Sequence, residues 1–284
     1  MCPRVSDTKP EDESWSIPSL REPRYSQSLE RGLAILGCFT PERPALGIAD
    51  ISDDLGMSRS TTHRYAITLL ALGFLEQGAS RKYRLGLRVT DLGMSALNST
   101  GLREHARPYL EELRQRCTYT VNLAVLDGPE ILYIDRARSF RRGQNKIDFN
   151  LRPGSHLPAY CTSMGKVLLA NLPETEKRDL IDGATLVRRG PNSIKSKKTL
   201  RTELEHVLNE GLAVNDEELS EGLISMAVPI YQEDREVVAA LNMAAHTSMV
   251  SIEDMVDQLA PHLVSTADQI SARLGYRRSD EARR

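Results

Sequence analysis

The first regular alternation of apolar and polar residues begins at Ser26. Leu29, Leu33, Leu36 and Phe39 recur at helical spacing, with Ala34 and Ile35 beside them, and predict a first helix. Thr40-Pro41 ends it, because the residue before a proline avoids the helical region. Ile48, Ile51 and Leu55 predict a short second helix, with Gly56 as a good residue just past its end. Ser58 is placed to cap a third helix that runs to about Leu72 and stops at Gly73. Its buried side reads as Ala66, Leu69, Leu70 and Gly73. The link Gly56-Met57-Ser58 has the spacing of a helix-turn-helix. Residues 74–76, a polar turn and residues 81–85 then predict a hairpin, so residues 25–88 read as a winged helix-turn-helix.

Helical spacing resumes after residue 87. Val89, Leu92 and Leu97 suit a short helix, and Leu102, Ala106, Leu110, Leu113 and Cys117 suit a longer one bent at Pro108. Residues 89–117 are read as a helical linker. From Tyr119 the period changes to two. Tyr119, Val121, Leu123 and Val125 face one way, and Thr120, Asn122 and Ala124 the other. Further strands are expected at 131–134, 146–149, 212–215, 225–231 and 237–245, and helices at 162–172, 174–181 and 200–208. A last helix spans 251–274, with Ile252, Met255, Val256, Leu259, Leu263, Ala267, Ile270 and Leu274 on one face and Pro261 as a kink. Residues 118–275 thus form an α+β domain with an antiparallel sheet. Residues 1–24 are expected to be a mobile tail, and 276–284 a polar one.

Composition adds limits. The 284 residues carry 37 Lys plus Arg against 39 Asp plus Glu, a net charge of −2, with 40% apolar residues. This is ordinary for a globular chain. No apolar run approaches the roughly 18 residues of a membrane span, and Met1 to Ser19 lack the apolar core of a secretory signal, so a cytoplasmic protein is expected. Cys2, Cys38, Cys117 and Cys161 show no metal-ligand spacing, so no metal and no cofactor is expected.

The charge distribution says more than the sum. Between Ser58 and Arg88 the basic residues are Arg59, Arg64, Arg81, Lys82, Arg84 and Arg88, against one acid, Glu76. Ser58, Arg59, Ser60, Thr61, His63 and Arg64 are candidate DNA contacts on the third helix. Arg takes two hydrogen bonds at a guanine edge, and short hydroxyls bond bases or phosphates. Arg81 and Lys82, on the wing, suit phosphates.

Three segments resemble the IclR family of bacterial transcription regulators. Ser26-Gln27-Ser28-Leu29-Glu30-Arg31-Gly32-Leu33-Ala34-Ile35-Leu36 is similar to its opening helix. Residues 51–64 resemble its helix-turn-helix, and Pro158-Ala159-Tyr160-Cys161-Thr162-Ser163-Met164-Gly165-Lys166 its effector-domain signature. The last form looks most like the subgroup that regulates β-ketoadipate and hydroxybenzoate catabolism. The resemblance implies a GAF-like effector domain, a dimer or tetramer, a pseudo-palindromic double-stranded DNA operator and no membrane partner.

It also implies a pocket for a small organic acid. Asn122, with Thr120 and Ala124, and Asn242, with Val238, Ala240 and Ala244, set polar groups among small neighbours, as pockets need. Thr162 caps a helix whose first amides, Ser163 among them, can hold a carboxylate without any Arg. Ala159, Tyr160, Cys161, Asn215, Glu217, Ser225 and Met226 complete the candidate set through family positions. Ala244, where small-acid sensors carry a polar side chain, favours an aromatic or dicarboxylic acid. The alternative is a small 2-oxo acid such as glyoxylate or pyruvate. Readings of another class are a ligand sensor without DNA, or a thiol enzyme pairing Cys161 with His156. Gly165-Lys166 lacks the rest of a P-loop. No enzyme activity is expected.

Overall fold

The computed structural model describes residues 26–98, 101–140 and 151–277. The strand expected at 146–149, the N-terminal tail, most of the C-terminal one and the side chain of Leu97 lie outside the described residues. The chain separates into two compact units between Ala96 and Leu97.

The first unit holds α1 (Gln27–Gly37), α2 (Ile48–Leu55), α3 (Arg59–Ala71), a hairpin of β1 (Leu75–Gln77) and β2 (Tyr83–Leu85), and most of α4 (Arg88–Asn98). Gly56 takes the left-handed conformation at the end of α2 (φ 61°), a position that favours glycine. Ser58 then caps α3 by accepting from Thr61 N at 3.2 Å. Ile35, Leu46, Ile51, Ala66, Leu69, Leu75 and Tyr83 form the core. Leu46 also bridges Tyr83, adding a short third edge to the hairpin.

One expected face differs. Leu29 and Leu33 are 64% and 47% exposed, whereas Ile35 is fully buried. The helix turns its Ile35–Phe39 side inward, and the consecutive run Leu33-Ala34-Ile35-Leu36 goes most of the way round the helix, so it cannot all face one core. Leu92, expected to be apolar-facing on α4, is likewise exposed.

The second unit is a six-stranded antiparallel sheet in the order β5-β4-β3-β8-β7-β6. The strands are β3 (Thr120–Asp127), β4 (Glu130–Ala137), β5 (His156–Pro158), β6 (Ala213–Asp216), β7 (Leu223–Tyr231) and β8 (Val237–His246). One face packs on α5 (Leu102–Cys117) and α9 (Ile252–Arg273). Leu102, Ala106, Leu110, Leu113 and Cys117 are all buried there. The helix read as half of a linker is therefore part of this unit's core. The other face carries α6 (Ser163–Ala170), α7 (Glu174–Gly183) and α8 (Lys197–Glu210) over a second apolar cluster.

Two ion-paired groups are sunk in these layers. Asp135, fully buried on β4, meets Arg107 and Arg103 of α5. Lys166 of α6, 1% exposed, meets Glu218 at 2.6 Å and Glu203 of α8 at 2.7 Å. Arg107 and Lys166 hydrogen-bond their carboxylates, as burial of an ion requires, whereas Arg103 stands 3.7 Å from Asp135 as an ion pair alone.

Candidate functional site

In the first unit, α3 presents Arg59, Ser60, His63 and Arg64 on its exposed side, with Thr61 half-buried. Ala66 and Leu69 anchor the opposite side. Ser58 is spent locally: its hydroxyl serves the cap and bonds Thr61 Oγ1 at 2.8 Å. Thr62, which the pattern does not single out, is fully buried. It donates to Ser58 O and accepts from Ser52, which ties α3 to α2. The buried pair fixes the angle at which α3 is offered. Arg64 lies over its neighbour Tyr65, 5.8 Å from the ring centre. Arg81 and Lys82 are exposed at the hairpin turn, where Arg81 adopts a left-handed backbone (φ 58°). A short helix with exposed Arg, Ser and His, beside a basic wing, matches a groove-reading arrangement.

In the second unit the strand register builds a polar patch. Asn215 pairs with Ser225, Ser225 with Ala244, and Ala244 with Thr120, making one row across four strands. The next row runs from Asn242 to Asn122 to Arg136. Asn122 Nδ2 donates to Asn242 Oδ1 at 2.7 Å. Above these rows lies the N-terminus of α6. Thr162 Oγ1 accepts from Gly165 N, and Ser163 and Ser225 share a hydroxyl bond of 2.8 Å. Asn215 donates to Cys161 O, fixing the turn that enters α6. Gly165 is required here, since a Cβ would fall 2.2 Å from Ala159 O.

These groups, with Tyr133, Leu151, Leu219 and Leu223, enclose a cavity of about 30 Å³. That is about the room of one water. Asn122 Oδ1 is a buried acceptor with no partner among the described residues. Arg136 lines the same cavity and donates to Leu151 O at 2.7 Å. Burial draws its pKa down, against the nearby Tyr133 phenol. Burial in turn pushes the Tyr133 phenol up. A partly desolvated guanidinium favours an anion beside it.

Of the expected effector residues, Asn122, Thr162, Asn215, Ser225 and Asn242 line the cavity, and Ser163 touches it through Ser225. Met226 does not: it packs on the α5–α9 face, because adjacent strand residues face opposite ways. Glu217 turns its carboxylate back to Gly222 N. Ala159 and Cys161 are buried within the turn that leads into α6, and Tyr160 of the same turn lines a different cavity. Arg136 was not foreseen. A bulge shifts the register so that Leu123 faces Asp135 while Ala124 faces Tyr133. The extra residue re-aims the strand, sending Asp135 toward α5 and Arg136 into the cavity. A similar shift in β8 turns Val238 onto the α5–α9 face, away from Asn242.

The thiol reading has no geometry. Cys161 is fully buried, and burial pushes its thiol up to about 12. His156 is instead bonded to Asp127 at 3.0 Å. No group of His, Cys, Asp and Glu among the described residues could hold a metal ion. No described helix is long and apolar enough to cross a membrane.

Two family models match the chain: the IclR helix-turn-helix domain over residues 28–79, and the bacterial transcriptional regulator IclR C-terminal domain over residues 94–272. A Pca regulon regulatory protein of Pseudomonas putida is 35% identical over 253 residues, which cover 89% of this chain and 86% of that one. The HTH-type transcriptional regulator XynR of Escherichia coli is 33% identical, over 88% of this chain and 98% of its own. Among solved structures, an IclR homologue from Microbacterium hydrocarbonoxydans complexed with 4-hydroxybenzoate aligns with a TM-score of 0.75. It is 27% identical and covers 86% of this chain and 99% of its own.

Proposed function

We propose that this chain, which belongs to the IclR family of bacterial transcription regulators, is a ligand-responsive member that controls catabolism of aromatic acids through the β-ketoadipate pathway. Its family makes it a DNA-binding regulator and not an enzyme. The observation that carries the ligand reading is the polar cavity under α6, with the buried acceptor Asn122 Oδ1 and the cation Arg136 on one sheet row. A hydroxylated aromatic acid supplies a donor for the Asn122 acceptor, and its carboxylate suits a site bordered by a cation and a capped helix end. The Pca relative and the 4-hydroxybenzoate complex support the same class.

The cavity of about 30 Å³ must enlarge to admit a ring. Its small size favours a second reading, a two- or three-carbon oxo acid. In either case residues 25–88 serve as the DNA-binding domain, and the second unit, expected at residues 118–275 and extended by α5, serves as the effector domain. Arg59, Ser60, Thr61, His63 and Arg64 read the major groove, and Arg81 and Lys82 hold phosphates. Recognition of a pseudo-palindromic operator needs a homodimer, or two dimers in a tetramer. The effector acts by favouring one arrangement of the DNA-binding domains.

A thermal-shift screen of the whole chain tests this. Ligand at 100 times its Kd adds about 2.7 kcal/mol, a rise of several degrees at this size. The proposal expects that rise for 4-hydroxybenzoate or protocatechuate. A rise for glyoxylate or pyruvate alone selects the second reading.

A further inference from the structure

We propose that a second cavity, walled by α6, α7 and α8 and the turn at 159–161, is a separate small-molecule site for a compact monocarboxylate with an apolar body. Its chemical class is a benzoate-like or branched aliphatic acid.

The space measures about 310 Å³, against about 30 Å³ under the α6 N-terminus. It falls at the lower end of small-molecule pockets, about 300–1,000 Å³. Leu169, Leu180, Ile181 and Leu200 supply apolar walls, Tyr160 lines another side, and Arg189 brings a cation to the lining. The guanidinium of Arg189 enters no ion pair among the described residues; only its backbone N–H is bonded, to Ser193 Oγ. Glu130 also borders the space, so a second carboxylate on the ligand is disfavoured. One cation, one anion and an apolar wall select a monoanion with a hydrocarbon body.

The walls are fixed before any ligand arrives. Tyr160 Oη donates to Val187 O at 2.9 Å and accepts from Val187 N at 3.1 Å, pinning the segment after α7 to the 159–161 turn. The two cavities share no lining residue. They are joined through one turn: Tyr160 borders the second, Thr162 borders the first, and the Cys161 carbonyl between them is held by Asn215. Occupation of the second cavity therefore bears on the geometry of the first. The inference does not depend on which ligand the first cavity takes.

Isothermal titration of the whole chain with benzoate, 4-hydroxybenzoate and 3-methylbutanoate tests it. The variants are Arg189→Gln and Val187→Trp, both at exposed positions, with Asn242→Leu reporting on the first cavity. At least one acid is expected to bind with a Kd raised about tenfold or more in Arg189→Gln, as loss of a charge-assisted bond implies. Val187→Trp should abolish that binding, and Asn242→Leu should leave it within about twofold. Binding that vanishes only in Asn242→Leu overturns the proposal. So does a panel in which no acid shows binding sensitive to Arg189 and Val187.

Discussion

Replacing Lys166 by Met should destabilise the second unit strongly, and more so at high pH. Lys166 is 1% exposed and its ammonium contacts Glu218 and Glu203. Glu218 is itself buried, and its Oε2 has no partner among the described residues. Glu203 is about a third exposed in its side chain and can turn to water. The uncompensated charge is thus that of Glu218. Removing one partner of a buried pair costs about 3–5 kcal/mol, or roughly 6–20 °C in Tm at this size.

The pH dependence follows from Glu218. Burial already raises its pKa, and Lys166 is the chief influence that lowers it. Without the ammonium the folded-state pKa climbs further above the unfolded value. Below the unfolded pKa both states carry the proton and the deficit is smallest. As pH rises through the folded pKa, the penalty of the buried carboxylate is fully expressed. Thermal unfolding of Lys166→Met at pH 5 and pH 8 should show the wider gap from the parent at pH 8. The double variant Lys166→Met/Glu218→Leu should recover much of the loss, since apolar replacements of buried pairs are often neutral. A Lys166→Met protein within about 1 kcal/mol of the parent, or a double variant no better than the single one, would refute this reasoning.

Other outcomes can be checked directly. Arg59→Ala should weaken operator binding by about 1–3 kcal/mol and relax one base preference; equal loss on random DNA would make it a phosphate contact. Asn242→Leu should abolish the effector response in a reporter assay and leave operator affinity unchanged; a normal dose–response removes Asn242 from the site. Cys161, buried with its thiol pushed up to about 12, should resist iodoacetamide at pH 8 in the native protein and react after denaturation; rapid native labelling would show an open path to it.

Much of this architecture is written in periodicity. The α2–turn–α3 unit is legible because each signal falls where its geometry needs it: an apolar face, a left-handed glycine and a capping serine. The apolar positions of α5 and the two faces of β3 are legible for the same reason: α5 buries one stripe, and β3 sets apolar side chains on one covered face and small or polar ones on the other. The assignment of α5 to a linker failed because periodicity shows that a helix is amphipathic without showing which body covers it. Bulges hide the place of Arg136 and reverse that of Val238. A bulge leaves no mark in an alternating pattern, yet it reverses the face of every residue beyond it. The three-residue β5 was invisible because it is too short to alternate. Leu29 and Leu33 show the converse: apolar spacing on α1 that this unit's core does not use.

The central claim is that an acid bound in the second unit alters DNA binding by the first. Fluorescence anisotropy with duplex DNA from the region flanking the chain's own gene tests it most directly, read with and without 4-hydroxybenzoate or protocatechuate. The account predicts sequence-selective affinity that falls with salt, as phosphate contacts release counterions. It predicts a severalfold change in that affinity with the aromatic acid, and no such change in Asn242→Leu. Selective DNA binding that no aromatic acid alters would contradict it.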